Sequence, residues 1–511
     1  MANCKIEGVA STCRRGPPGI TLPLGFCSQY FATTTQSVEP RGIVKTGGGD
    51  ILALDRGRSP AAVISLHDDD NNGVAESFTI VAEMDGLNHG LAVHNAYVYA
   101  SSDTTVWRWP YSQNQRVKST AYQVVVRNIN ANGQGGAPQG HSTRTLIFDE
   151  NGYLYISVGS VGNVDVDDFR SRIRRFQIPA NGTLPSGGFD FQQGEIFATG
   201  LRNEVGLAFD RNKVLYGVEN GADNLVRDDL GGDIHNDNPG EELNRFPIEN
   251  LGKHYGYPFC WTEYKLPKSI SPGGKGTIWA WPSTKAVKND QWCRDNTVKP
   301  MLSMQAHSAP LGITFFNYTY VGNDTEDCPS GGGFPQYMDG DAFIAFHGSW
   351  NRNPPTGYKV VRVPMNRNGS PKVDDPIDFL CHGGGGAKFP NGFRPVDVVF
   401  DKCNRLLVTS DGTRGSGTGV VVVQYNGEED CSGCAPSPAP SPTGGCTVCS
   451  EDQGQDPFMT ILIVLAVSAF TLIFLWSAWI LYKKVRRGAS IVDRKKNEDE
   501  AHTDEIKISA R

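Results

Sequence analysis

The chain is predicted to be all-β: a six-bladed β-propeller with an insertion between blades 4 and 5, followed by one C-terminal transmembrane helix. Three observations carry this. A short unit of apolar strand, Asp/Asn/Gly turn and second apolar strand returns six times. The intervals are blade-sized, as in a propeller array. Gly (59) and Pro (31) are abundant enough to supply the many tight turns such a ring needs. Finally, residues 458–482 run without a charge.

The six units are Gly49 to Asp55, Gly90 to Ala100, Leu146 to Ile156, Gly206 to Tyr216, Gly312–Phe315 with Ala342–Ala345, and Asp397 to Thr409. A ring of about residues 41–430 accounts for most of the 511 residues. Residues 1–40 hold Cys4, Cys13 and Cys27 without periodicity and read as an extension clamped to the ring by disulfides. The fourth-to-fifth interval is roughly twice the others. It contains His254 to Trp261, Trp279, Trp281, Trp292 and Cys293, and reads as an insertion stapled by Cys260 and Cys293. A degenerate seventh blade is the alternative.

Residues 431–457 pair Cys431/Cys434 and Cys446/Cys449 around a Pro/Ser run. That spacer favours polyproline II over a folded zinc ribbon, so a disulfide-bearing stalk is expected. As a helix, residues 458–482 reach about 37 Å, enough to cross a hydrocarbon core of about 30 Å. Trp476, Trp479 and Tyr482 followed by Lys483-Lys484-Val485-Arg486-Arg487 mark a cytoplasmic end. The propeller is then expected outside a plasma or other secretory-pathway membrane, with residues 483–511 as a cytoplasmic tail. Twelve cysteines and sequons at Asn181, Asn317, Asn323 and Asn368 fit that route. No apolar leader follows Met1, so this orientation anticipates a start that is truncated or misassigned, with insertion directed by the helix itself after synthesis as the alternative. The net charge of −7, without a basic stripe, excludes a nucleic-acid partner.

Candidate chemistry sits just ahead of the inner-strand patterns, which places it at the channel mouth. His141 and Arg144 precede the third unit, Arg202 and Asn203 the fourth, Arg41 the first, His89 the second and Arg394 the last. His347, Trp350, Asn351 and Arg352 follow a fifth-unit strand. A histidine there can act as a base near neutral pH. Convergent guanidinium groups imply an anionic ligand, and Trp350 offers a plane for a flat ring. Asp68, Asp70 and Asn72 alternate in an Asp-x-Asp-x-Asn-Gly turn, which suits either a structural calcium ion or a plain solvated turn. No nucleophile elbow, P-loop or zinc-enzyme spacing is present.

Pro40–Val44, Gly86–Leu91, Gly140–Leu146, Gly200–Asn203, His254–Pro258, Ala306–Gly312, His347–Arg352 and Phe393–Pro395 together resemble the glucose/sorbosone dehydrogenase family. They are most similar to its fungal pyrroloquinoline-quinone (PQQ)-dependent pyranose dehydrogenases. The resemblance implies a PQQ cofactor over the propeller axis with a Ca2+ ion beneath it, and oxidation of a pyranose or aldose at its anomeric hydroxyl to a lactone. It implies His141 as the base and Arg202-Asn203 near the reactive carbonyl. Backbone carbonyls of Gly221 and Ala222 are implied as calcium ligands, where bacterial relatives have Gly-Pro. Arg41, Arg352, Arg394, His347 and Trp350 carry over as carboxylate partners and stacking surface. The chain has no cytochrome domain, so a separate electron acceptor, a cytochrome or a quinone, is expected. The alternative is a non-catalytic cell-surface binding ectodomain on the same scaffold.

Overall fold

The computed structural model describes residues 4, 17–129, 140–166, 169–319, 328, 332–384 and 386–425. They build six antiparallel sheets of four core strands. Blade 1 runs Pro40–Lys45, Ile51–Asp55, Ala62–His67 and Ser77–Glu83. Blade 2 runs Leu91–His94, Tyr97–Ser101, Val106–Pro110 and Gln123–Arg127. Blade 3 runs Leu146–Phe148, Tyr153–Val158, Arg172–Gln177 and Glu195–Thr199. Blade 4 runs Glu204–Phe209, Leu215–Glu219, Glu241–Phe246 and Leu302–Met304. Blade 5 runs Pro310–Phe315, Ala342–Phe346, Lys359–Val363 and Ile377–His382. Blade 6 runs Pro395–Phe400, Leu406–Thr413 and Ser416–Tyr425, and takes its outer strand, Phe26–Ala32, from the other end of the chain.

Each blade is sandwiched between two others, so its middle strands lose water on both faces. This is why Ile51–Asp55 and Ala342–Phe346 are buried along their whole length, and why they read as unbroken apolar runs. The innermost strands touch in ring order and close on themselves, blade 6 meeting blade 1. They approach so closely that a Cβ on Gly42 would lie 2.3 Å from the His89 carbonyl oxygen, and one on Gly90 1.9 Å from that of Arg144. Those contacts also fix the polarity. The inner strands run in one sense, and their N-terminal ends share one mouth.

The closing strand Phe26–Ala32 pairs antiparallel with Ser416–Tyr425. A Cys4–Cys381 disulfide ties the N-terminal segment to blade 5, and Ile20–Thr21 pairs with that blade's outer edge. Residues 26–32 are therefore part of the ring, not of an extension. Their partner is almost the whole ring away in sequence, so no local repeat announces them. Phe26, Phe316, Phe334, Phe343, Phe379 and Phe400 pack together at this seam.

The insertion is displaced from its expected place. It leaves blade 4 after Phe246 and returns at Leu302, between that blade's third and outermost strands, not between blades 4 and 5. It forms the hairpin Cys260–Thr262/Ile278–Ala280, held to the helix Asp290–Asn296 by the Cys260–Cys293 disulfide. It is not a seventh blade. Among the described residues no helix is long and apolar enough to cross a membrane. The expected stalk (431–457), spanning helix (458–482) and tail (483–511) lie outside the described residues.

Candidate active site

His141 sits in the loop that leads into blade 3, half-buried beside the end of that blade's second strand. Its Nδ1 lies 3.0 Å from both the carbonyl oxygen and the hydroxyl oxygen of Ser160. The Ser160 hydroxyl donates its own hydrogen to the Gly162 carbonyl at 2.7 Å. Both Ser160 oxygens therefore act as acceptors, Nδ1 carries the proton, and Nε2 presents a lone pair. Burial, reinforced by the Arg202 charge, lowers the imidazole pKa to about 4, so the ring is a neutral base at pH 7.

Arg202 enters the mouth from the start of blade 4. It donates to the Gly221 carbonyl at 2.6 Å, to the Asn163 carbonyl at 3.2 Å and to Asp223 Oδ2 at 3.0 Å. Asn203 lies beside the base: a Cβ on Gly159 would fall 2.7 Å from both Asn203 Oδ1 and His141 Cβ. From blade 5, Asn351 donates to Asp223 Oδ1 at 2.7 Å, while its own Oδ1 is buried without a partner among the described residues. His307 approaches the same Asp223 oxygen at 3.5 Å and donates to the His235 carbonyl. Burial lowers its pKa, but Asp223 and Glu241 outweigh that and raise it. Glu241, pushed up to about 7 by burial, accepts the Gly221 N–H at 2.7 Å and the Ala309 N–H at 3.0 Å. The Gly221-Ala222 turn is thus held from both sides.

A second group faces it from blades 6, 1 and 5. Asp411 accepts from Arg41 at 2.6 Å and from His347 Nε2 at 2.7 Å. Burial lowers the His347 pKa to about 4, so a neutral ring donates to a carboxylate whose charge Arg41 balances. His89 is buried alongside. Its Nδ1 and the Nε of Arg41 have no partner among the described residues. Arg394 donates to the His347 carbonyl at 3.0 Å and has no carboxylate in ion-pair range among the described residues.

Three expected site residues are placed differently from the rest. Arg144 is fully buried beneath the base loop, and its guanidinium donates to the carbonyls of Asp103, His141 and Thr143. Arg352 turns outward to Asp237 at 2.7 Å and to the Asn236 and Pro354 carbonyls. Trp350 is 78% exposed at the rim. Asp68, Asp70 and Asn72 lie at the opposite end of the ring. Asp223 and Glu241 belong to the acidic run of residues 219–242 after the fourth unit, which the sequence places near the cavity as a second possible calcium stretch, whereas His307 and Asp411 were not anticipated as individual site residues. The signal for Asp411 was available: it follows a second-strand pattern, as His347 does.

A neutral histidine and inward guanidinium groups at one mouth of the channel make this a six-bladed propeller with a candidate ligand site on its axis. The chain belongs to the TrAA12-like family, whose model matches residues 21–426. The pyrroloquinoline quinone-dependent pyranose dehydrogenase of Coprinopsis cinerea is 32% identical over 409 residues, covering 74% of this chain and 51% of that protein. The chain thus spans about half the length of this curated relative. The holo form of the PQQ domain of that organism's pyranose dehydrogenase superposes with a TM-score of 0.64 at 30% identity, covering 81% of this chain and 99% of the other. A calcium structure of a Trichoderma reesei enzyme of carbohydrate-active family AA12 gives 0.67 at 28% identity, with 81% and 99% covered.

Proposed function

We propose that the protein is a PQQ-dependent dehydrogenase that oxidises a pyranose or related aldose at its anomeric hydroxyl to a lactone. The observation that carries this reading is the His141–Ser160–Gly162 hydrogen-bond chain, which leaves Nε2 unprotonated and directed away from its anchor. The mouth also fits the cofactor's chemistry. PQQ is a flat tricarboxylate, and Arg41 Nε, His89 Nδ1 and Asn351 Oδ1 are buried polar atoms without partners among the described residues. Arg41, Arg202 and Arg394 would hold its carboxylates and reactive edge. The Gly221 and Ala222 carbonyls would serve a calcium ion, a hard cation that favours oxygen donors. Bound there, the quinone would supply the hydride acceptor and the calcium ion the Lewis acid.

The protein's own residues do the rest. Nε2 of His141 takes the proton from the anomeric hydroxyl as the C1–H bond breaks. The Ser160 carbonyl stabilises the imidazolium that forms by holding the Nδ1 proton. Asn203 and Arg202 fix the reacting edge next to the base. Arg144, which donates through Nε and one terminal nitrogen to the carbonyls of Asp103, His141 and Thr143, sets the height of the His141 loop from below. We read residues 458–482 as the membrane anchor that leaves the propeller outside, on the strength of their uncharged run and basic stop. Electrons then pass to a separate cytochrome or quinone.

The test is direct. Purified full chain is mixed with PQQ, Ca2+, an artificial dye acceptor and a panel of pyranoses. Sugar-dependent bleaching that requires both additions supports the reading. Tight quinone binding with no bleaching on any sugar would point to a substrate outside the panel, and no quinone binding at all would favour the binding-ectodomain alternative.

A further inference from the structure

We propose that the turn of residues 68–76, between the third and outermost strands of blade 1, binds a divalent cation of the calcium type at the seam where the ring closes. Asp68, Asp70 and Glu76 each offer a carboxylate oxygen, and these lie within 4.8 Å of one another. The independent observation is Asp68. Its side chain is only 8% exposed. Its Oδ2 accepts from Arg405 at 3.0 Å and from the Gly73 N–H at 3.0 Å, yet its Oδ1 is buried with no partner among the described residues. A desolvated carboxylate oxygen without a donor is costly, and a cation removes that cost.

The donor set is all oxygen, which selects a hard cation over zinc or copper. Asp69 and Asp70 add to the negative charge. Arg405 pairs with Asp68, and Arg116 pairs with Asp69 at 2.5 Å. Four carboxylates (Asp68, Asp69, Asp70 and Glu76) then face two guanidinium groups. Gly73, at φ +86°, turns the chain so that its N–H meets Asp68 Oδ2.

The position gives the ion a role. Ala62 pairs with Asp55 at the mouth, so His67 and the turn after it lie at the far end of the ring. The Ala75 N–H donates to the Phe31 carbonyl at 2.8 Å, and Gln29 Nε2 donates to the Asn72 carbonyl at 3.3 Å. Phe31 and Gln29 belong to the closing strand. Arg405, on the inner turn of blade 6, donates to the Asn71 carbonyl at 2.9 Å. A cation that orders this turn therefore fastens blade 1 to blade 6.

The experiment uses the full chain without quinone and Ca2+ alone as the probe. Bound calcium is counted by mass spectrometry after desalting, and thermal unfolding is followed with and without the ion, for wild type and Asp70→Asn/Glu76→Gln. Wild type should bind one more Ca2+ than the double variant. Its Tm should rise by about 5 °C at a large excess over Kd, and the variant should lose that part of the rise. Any calcium held at the mouth is common to both proteins and cancels. Equal stoichiometry with equal Tm rises would overturn the proposal. Should the double variant not fold, the same comparison with the single exposed substitution Glu76→Gln decides.

Discussion

His141 Nδ1 sits 3.0 Å from each of the two Ser160 oxygens, and the Ser160 hydroxyl is already committed to the Gly162 carbonyl. The base is thus oriented by a neutral partner and not by a carboxylate. That has two consequences for rate. His141→Ala should lower kcat by at least about 100-fold. Quinone affinity, measured by fluorescence titration, should change little.

The second consequence concerns pH. A base with a pKa of about 4 is protonated, and idle, only below that value. In wild type kcat/KM should rise through pH 4 and stay flat towards neutrality. Ser160→Asp places a negative charge beside Nδ1 and should move the acidic limb up by about 2 pH units. Ser160→Ala keeps the carbonyl acceptor, so the limb should hardly move. A pH–rate profile of the three proteins reads both shifts.

Asp411 is the shared anion of Arg41 and His347. Burial works to raise its pKa, but the His347 hydrogen bond and the Arg41 charge outweigh it and hold the carboxyl well below its ordinary range. A lowered folded value means stability that is present above the unfolded pKa of about 4 and is lost as pH falls towards the folded one. Asp411→Asn leaves a buried guanidinium without its counter-charge. It should cost about 3–5 kcal/mol at pH 7 by denaturant unfolding and flatten the acid loss.

Blade 4 buries Glu204, Glu219 and Glu242 around one amide, with Asn244 Nδ2 at 3.1, 3.2 and 3.3 Å from them. Two N–H groups cannot satisfy three carboxylates. Burial raises all three pKa values, with mutual repulsion adding to it for Glu204 and Glu219. Raised folded values give stability that is present below the unfolded pKa and lost as pH rises through the folded ones. Thermal stability should therefore fall from pH 5 to pH 9, and Glu242→Gln should make the fall shallower. A variant as pH-sensitive as wild type would contradict shared protonation in this cluster.

The Cys260–Cys293 bridge closes a loop with a sequence separation of 33. Replacing both cysteines with alanine should cost about 2–4 kcal/mol. Tyr257 sits just ahead of the bridge and accepts the Asp165 N–H at 2.6 Å, in the loop that also holds Arg202 through Asn163. Loosening the insertion should thus raise KM or weaken quinone binding without removing the base. Unfolding curves and steady-state kinetics separate the two effects.

The repeat, the ring and the mouth were legible in the sequence because each depends on local pattern. Inner strands such as Gly206–Phe209 announce themselves by an apolar run behind a glycine, and a side chain just ahead of such a run must reach the mouth. Contacts made across the ring were not legible. Phe26–Ala32 reads as an extension until its partner near Tyr425 is known. Arg352 and Arg144 have the right position in the pattern, but their rotamers send them to Asp237 and to backbone carbonyls. Trp350 is in the expected loop and yet solvent-facing, since nothing in a linear pattern reports side-chain direction.

The most direct test of the mouth as a redox site is the absorbance of bound PQQ on the full chain with Ca2+, before and after a pyranose is added without any dye. The expected result is stoichiometric binding that is weakened at least tenfold by Arg202→Met, followed by sugar-dependent reduction of the bound quinone in wild type but not in His141→Ala. Quinone that binds equally well to Arg202→Met, or that is reduced equally fast without His141, would contradict the assignment.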